Sequence, residues 1–578
     1  MSHSDIIFAP IFLPLLGSAL VFCGKSFFKG RKAKLIEYSA VFIGLGLPWI
    51  VLFYLLPFIL SGTTIQLVIG NWFGGVGIIY RFDGLAWLVI FLGFLIASAA
   101  WIYTLGAGPR GLGFNAIFLI QTAALAATAM TADLFNLFVC LEILGITSYV
   151  LIASSEKPGA FLASFSYLMI SATAMVFFLV GLLGLYRLTG TLSYEGIAAG
   201  LKILPGEGGI TAIVSLSLIV AAIAMRVAVM PLYGWLPDAH ALAPHAISAV
   251  LSGVLIKTPL FALTRILIIL PGGIEAGRLM GYAGAATALV GVIIALAQKD
   301  TKRLLAYHSI SQIGYIVSAW GAAVTAGLST PAGLTLMTAA FLHAMYHALF
   351  KGLLFLTIGT TTDLAGERDV YKLRGAAIIL YRGGEKFPVT LLCFLVGALA
   401  IMAIPPLNGY ASKAALSYAF KGSWQASVLF AAGIGTTASF IKLSRIYWPQ
   451  KKINQSSPKT GTIPGKVSGS VQISQIFLAI MCIASGIFAS RISLIVKKLL
   501  SNGIIDTNRV PPNLFSIQNL EKTAITVTAG IVLFLIVSTG SGKKILSLIR
   551  NRPRNFQGLF LSFSLGMFGL TLWMIYKS

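Results

Sequence analysis

Charge is what this 578-residue chain has least of: Asp, Glu, Lys and Arg make up 10% of it, against 57% hydrophobic residues and a mean hydropathy of +0.90. A water-soluble chain carries about 25% charged residues to cover its surface, so a soluble globular protein is excluded. Acidic residues are the scarcer kind, 17 Asp and Glu against 42 Lys and Arg, which leaves a net charge of +25. A basic surplus can serve nucleic acid. Here the lysines and arginines sit mostly in short loops between apolar runs, with no zinc-finger or RNA-binding signature, and no nucleic-acid partner is expected. Cysteine is sparse too. Cys23, Cys140, Cys393 and Cys482 lie far apart, each in or beside an apolar run, and read as small buried hydrophobes rather than disulfides or metal ligands. With no flavin, quinone, iron–sulfur or dinucleotide motif, no cofactor is expected, and any electron transfer falls to partner subunits. The first apolar run, Ile6 to about Phe22, lacks a basic leader and a small-residue cleavage site and reads as a retained span.

What the chain does have is apolar runs near 20 residues long from one end to the other. Each can cross ~30 Å of hydrocarbon. They predict an all-α polytopic membrane protein of about sixteen transmembrane helices, beginning near residues 6, 36, 83, 114, 133, 162, 209, 244, 277, 305, 333, 387, 424, 471, 521 and 557. Two runs are interrupted, one by Met230-Pro231 and one by Pro405-Pro406. Proline lacks the N–H that helix needs and clashes with the preceding turn, so Pro231, Pro405 and Pro406 mark helix breaks. Broken backbone at membrane depth survives only where protein or water satisfies it, and paired breaks in two halves of a chain point to a transport site. The basic clusters Lys25–Lys34, Lys299–Arg303, Arg368–Lys386, Lys451–Lys466 and Lys543–Arg554 all fall on one side, while Ser61–Tyr80 has no lysine or arginine on the other. The positive-inside rule puts those clusters in the cytoplasm and both termini outside. Lys497, Lys498 and Arg509 run against it.

An ionisable group at the bilayer centre costs at least ~2.5–3.5 kcal/mol, so each one inside a span asks for a role. Glu142 lies in LFNLFVCLEILGITSYVLI and Arg226 just before the first break. Lys257 lies in AVLSGVLIKTPLFAL, and Lys413 follows the second break. His343, His347 and Lys351 recur at four-residue steps in FLHAMYHALFKGLLFL, which puts them on one helix face. Lys442 and Arg445, near a span end, read as side chains that snorkel to the interface. His343 and His347 alone, with no third ligand nearby, do not make a metal site, and none is expected. The plain alternatives are cross-helix hydrogen bonding for the histidines and a static ion pair for Glu142 and Arg226. The functional reading is proton transfer. Lysine titrates near ~10.4 in water and burial favours its neutral form, while histidine titrates near neutrality and suits a relay.

Five segments carry a resemblance: DLFNLFVCLEILGITSYVLIA (133–153), MPLYGWLPDAHALAPHAISAVLSGVLIKT (230–258), QKDTKRLLAYHSISQIGYI (298–316), HAMYHALFKGLLFLTIG (343–359) and PPLNGYASK (405–413). In wording, order and spacing the chain resembles the antiporter-like membrane subunits shared by respiratory complex I (NADH-quinone oxidoreductase), membrane-bound hydrogenases and Mrp-type sodium/proton antiporters. It looks most similar to the D-type Mrp subunit. The resemblance implies two inverted five-helix repeats, each with a broken helix, on spans 4–8 and 9–13. It implies N-terminal helices over 1–112, a translocating core over 113–450, a polar loop over 451–470 and further membrane helices over 471–578. By the same resemblance Glu142 modulates the first channel, Lys257 with His343, His347 and Lys351 forms the central relay, and Lys413 is the exit lysine. The implied function is an ion-translocating rather than catalytic subunit, moving protons or exchanging Na+ for protons beside other membrane subunits in a bacterial or archaeal cell membrane. Redox-driven pumping and gradient-driven antiport both stay open, as does a structural scaffold. Two departures stand out. Where the family has a lysine in the first broken helix this chain has Arg226, which keeps its proton and so tunes rather than carries. Ala414 and Ala415 follow Lys413 where acidic residues can stand, and the spans after residue 500 exceed a minimal D-type subunit.

Overall fold

The scarce acidic residues start helices. Asp83, Asp133 and Asp300 each accept a hydrogen bond from the backbone N–H three residues on, at 3.0, 2.7 and 2.8 Å, which satisfies one of the orphan donors of a first helical turn. The computed structural model describes residues 3–70, 77–155, 157–204, 206, 209–449, 466–502 and 513–551, with parts of 565–576. Within them the chain is helical nearly throughout. α1 (Ala9–Phe27) and α2 (Gly30–Leu60) lead into a hairpin of β1 (Ile65–Ile69) and β2 (Ile78–Phe82), antiparallel with Ile65 opposite Phe82. Then follow α3 (Gly84–Thr104), α4 (Leu112–Met130), α5 (Leu134–Ala153), α6 (Ala160–Thr189) and the short α7 (Tyr194–Ile203). α8 (Gly209–Val227) is separated by a break from α9 (Leu236–Leu242), and α10 (His245–Leu267) follows. Next come α11 (Gly273–Ala297), α12 (Thr301–Ala326), the 35-residue α13 (Pro331–Ala365) and the short α14 (Ala376–Arg382). α15 (Val389–Ile401) and α16 (Asn408–Ala419) flank the second break, and α17 (Trp424–Ser444) closes the central part. α18 (Gly469–Ile487), α19 (Ala489–Leu500), α20 (Ile517–Ser538) and α21 (Gly540–Arg550) complete the described chain.

Among the described residues twelve helices are long and apolar enough to cross a membrane, and two shorter apolar helices, Ala9–Gly24 and Val389–Ile401, accompany them. This is a multi-pass membrane protein. The expected sixteen runs differ from that number for physical reasons. α12 has the length but carries Lys302, His308, Ser309, Ser311 and Gln312, and its polar side chains are buried by neighbouring helices rather than offered to lipid. α15, at 13 residues, is shorter than a full span and is followed by the break, and the run from 557 lies almost wholly outside the described residues, as does most of the 451–470 loop.

Cross-chain pairs identify two faces. The start of α3 meets the end of α10 on one face, where Asp83 takes both Arg265 nitrogens at 2.9 and 2.8 Å. Burial pushes the Asp83 carboxyl up, but Arg265, the Ala86 N–H and Arg81 outweigh it and hold it below the usual carboxylate range. On the opposite face Arg368 pairs with Asp300 at 3.0 Å and Arg303 with Asp238 at 2.8 Å. The helices between are held by small residues. A Cβ on Gly314 would come 2.2 Å from the Ala288 nitrogen and one on Gly321 2.3 Å from the Gly277 oxygen, so glycine lets α11 and α12 touch backbone to backbone.

Candidate functional site

The two helix breaks have the same backbone pattern. At the first, Ala228 takes a left-handed φ of 61°, and Ala403 at the second takes 63°. Each alanine N–H returns to the carbonyl three residues back, Met225 at 3.1 Å and Ala400 at 2.9 Å. The next residue reaches five back, Val229 to Ala224 at 3.1 Å and Ile404 to Leu399 at 3.0 Å. A tight turn then closes each break, Leu232 onto Val229 at 2.6 Å and Leu407 onto Ile404 at 3.1 Å. Met230–Pro231 and Pro405–Pro406 are both cis. What fills the opened ends differs. Pro405 has no N–H to offer Ile401, and the Lys413 ammonium donates to that carbonyl at 2.9 Å. In the first break Met230 gives its N–H to Thr287 Oγ1 at 3.0 Å, and the Trp235 indole donates to Met225 O at 2.9 Å.

Arg226, in the last turn of α8, reaches α5. Its Nη2 meets Glu142 Oε1 at 3.0 Å and its Nη1 donates to Leu141 O at 2.8 Å. Gly145 makes room for the guanidinium, since a Cβ there would sit 3.1 Å from Nη1. Arg226 is buried, whereas the Glu142 side chain is 30% exposed. Glu142 lies in a stripe of α5 residues, with Phe135, Ile143, Ile146 and Val150, that face out from the chain.

The remaining expected groups gather in the interior. Lys257 follows a wide π-helical turn at Leu251–Leu255, and Pro259 lacks the N–H that would bond Leu255. The Lys257 ammonium donates to Gly253 O at 2.5 Å and across to Ala344 O on α13 at 3.0 Å. Next to Ala344 on α13, His343 is fixed between Ser412 Oγ of α16 at 3.0 Å and Gln312 Oε1 of α12 at 3.1 Å. His347 is fully buried with neither ring nitrogen hydrogen-bonded. Lys351 donates to Leu305 O on α12 and lies 5.3 Å from the centre of the Phe355 ring. Lys413 lies over the Tyr315 ring at 5.6 Å and lines a cavity of about 100 Å³ with Tyr410, Ser417, Asn519 and Lys522. A water occupies ~30 Å³ of liquid, so the cavity has room for a few.

Sequence reasoning missed several groups. Lys302 counts among the basic loop residues by sequence, yet it is fully buried in the first turn of α12 and donates to Ala243 O at 2.6 Å. Lys442 does not snorkel: it is 2% exposed and caps the end of α11 through Leu296 O at 2.6 Å and Gln298 O at 2.8 Å. His240 stacks on Phe355 at 5.2 Å with both nitrogens free of hydrogen bonds, and His308 reaches Ser439 Oγ at 2.7 Å. The available signal was histidine placement, since five of the six histidines fall in or beside apolar runs. Among the described residues no group of three or more His, Cys, Asp or Glu could hold a metal.

A common chemistry links the lysines. Lys257, Lys302, Lys351, Lys413 and Lys442 all donate to backbone carbonyls, and none is ion-paired with a carboxylate among the described residues. Ammonium and neutral amine both carry N–H to donate, so a carbonyl holds the nitrogen in place whether or not it is charged. An ion pair such as Arg226–Glu142 offers no such freedom, because either partner's neutralisation breaks it.

The chain is similar to known membrane proteins. The family model described as NADH:quinone oxidoreductase/Mrp antiporter, TM, matches residues 131–442. The chain is 35% identical to the NADH-quinone oxidoreductase subunit N of Desulforudis audaxviator over 66% of its own length and 72% of that protein. It is 28% identical to the D-type subunit of the Na(+)/H(+) antiporter of Alkalihalophilus pseudofirmus over 78% of its length and 88% of that protein. A chain of the membrane-bound sulfane sulfur reductase, an archaeal respiratory membrane complex, superposes with a TM-score of 0.74 at 25% identity, covering 91% of this chain and all of that one.

Proposed function

The chain belongs to the NADH:quinone oxidoreductase/Mrp antiporter family of membrane subunits, and on that premise we propose that it carries protons across the membrane as one subunit of a larger complex. The observation that carries the proposal is the row of lysines, Lys257, Lys302 and Lys351 buried and Lys413 half-buried, held by carbonyls without a counter-carboxylate. In this reading Lys257, His347, His343, Lys351 and Lys413 pass protons through the interior. Lys413 exchanges them with the cavity beside Lys522. Arg226 fixes Glu142 and tunes the first half without carrying a proton. The matched hydrogen-bond register of the two breaks supports two five-helix units, α4 to α10 and α11 to α17, within a core over 113–450. The basic loops lie in the cytoplasm and both termini outside, by the positive-inside rule. Neighbouring subunits cover the stripe of α5 that contains Glu142. Sodium in exchange for protons is the variant that the antiporter relative supports, and redox drive the variant that the quinone-oxidoreductase relative supports.

Proton flux through the purified, vesicle-reconstituted complex tests it. K257A and K413A each lower flux at least ~tenfold, against the ~10²–10⁴-fold that a positioned acid–base group contributes, while the complex assembles. Wild-type flux in an assembled K257A or K413A complex overturns the relay and leaves a scaffold.

A further inference from the structure

On the face of the basic loops, three helix ends meet at a carboxylate that neither the breaks nor the central row accounts for. Asp363, in the last turn of α13, has a side chain 54% exposed. Its Oδ2 lies 2.8 Å from Nε2 of His245, the first residue of α10, and its Oδ1 lies 3.5 Å from the Lys157 ammonium in the α5–α6 loop. His245 is buried, and its Nδ1 has no hydrogen-bond partner. The niche is shaped to the ring: a Cβ on Gly359 would come 2.3 Å from its Cγ. Any larger residue at Gly359 would displace the imidazole.

Behind His245 the groups continue inward. Ala243, two residues earlier, is the acceptor of the buried Lys302 ammonium. Lys302 lies within electrostatic reach of His245, Asp363 and His240, and Lys351 within reach of His240. Phe355 joins that last pair, with His240 stacked on it at 5.2 Å and Lys351 at 5.3 Å from its centre. The charged or titratable groups facing His245 are thus Asp363 from α13, Lys157 from the α5–α6 loop and Lys302 from α12.

From this we infer that Asp363 and His245 form the port through which protons pass between the solvent on the basic-loop face and the buried row of lysines and histidines. The inference rests on the proton-relay reading. Asp363 stands in solvent and collects or releases the proton, while Lys157 steadies its other oxygen. A proton passed from the Asp363 carboxyl to Nε2 makes an imidazolium, and loss of the proton on Nδ1 inwards, to Lys302 in its neutral amine form, returns a neutral ring in the other tautomer and leaves Lys302 an ammonium. One proton enters and one leaves, and the reverse order serves flux the other way. Histidine is suited to this because its two ring nitrogens can take up and give off a proton in turn.

The test uses the full reconstituted complex at low buffer concentration, with K257A as the reference for a dead relay. D363N and H245Q lower proton flux about tenfold or more, D363E keeps most of it, and added imidazole, a mobile proton carrier, restores flux to H245Q. A structural role would answer neither to the carboxylate-retaining variant nor to a soluble carrier. Wild-type flux in D363N and H245Q with K257A inactive overturns the port and leaves the relay standing. Wild-type flux in K257A overturns the relay itself. Should D363N fail to accumulate, H245Q decides alone, and low flux that imidazole leaves unchanged overturns the port.

Discussion

The two helix breaks share one backbone and differ in what occupies it. At the first, the nearest cation is Arg226, held by Glu142 and the Leu141 carbonyl, while the opened helix end is satisfied by the indole of Trp235 and the hydroxyl of Thr287. At the second, the opened carbonyl of Ile401 is held by Lys413, which faces a cavity. Arginine and indole keep their protons at any accessible pH, and a lysine on a carbonyl need not. The difference teaches that a broken helix supplies only a vacant acceptor; the side chain reaching it decides whether the position is a fixed strut or a site of exchange. At the first break that side chain is the Trp235 indole, and Arg226 beside it is held by Glu142.

Four measurements bear on that contrast. The largest effect is expected for R226A, which leaves Glu142 in the spans without its counter-charge. Removing one partner of a buried pair costs ~3–5 kcal/mol, and the partial exposure of Glu142 puts this one near the lower end. Thermal denaturation of the purified complex reads it, and E142A/R226A recovers more than half of the loss. Equal losses in the single and double variants would remove the strut from the account. Next is the other fixed pair. D83N costs about 1–2 kcal/mol at neutral pH, where one partner of a charge-assisted bond is lost. Because the Asp83 carboxyl is held below its ordinary range, its contribution is complete above the unfolded value near ~3.9 and fades as pH falls through the lower folded value. Wild type therefore loses its advantage over D83N below about pH 4, and a gap that stays constant into acid contradicts the assignment. Smaller still is W235F, worth ~1 kcal/mol for one hydrogen bond to Met225 O, with the pH profile of proton flux unchanged. Smallest is the stability change in K413M, under ~1 kcal/mol, since the lost hydrogen bond is offset by removal of a half-buried charge. The contrast between the halves would collapse if K413M destabilised the complex as much as R226A does.

Much of this architecture is legible in sequence because a membrane interior makes exceptions conspicuous. Pro231, Pro405 and Pro406 mark breaks that the backbone shows, and Glu142, Arg226, Lys257, His343, His347, Lys351 and Lys413 stand out against apolar neighbours. Residues near span ends were harder. Lys302 and Lys442 look like interface residues by position, but each reaches a helix C-terminus in another part of the chain, and only packing identifies that acceptor. The π-helical turn at Leu251–Leu255 that precedes Lys257 has no counterpart among the breaks that Pro231, Pro405 and Pro406 mark in the sequence. His245 and Asp363 lie 118 residues apart, with nothing in their spacing to join them.

Glu142 also bears on how the chain is kept in the cell. It lies in the outward stripe of α5, with Ile143, Ile146 and Val150 beside it. Alone in a bilayer, the chain would turn a carboxylate toward hydrocarbon, an arrangement that costs up to ~2.5–3.5 kcal/mol for a fully lipid-facing acid and less for one paired on its inner side. That penalty disappears when a neighbour seals the stripe. An isolated copy would carry that cost on its own surface.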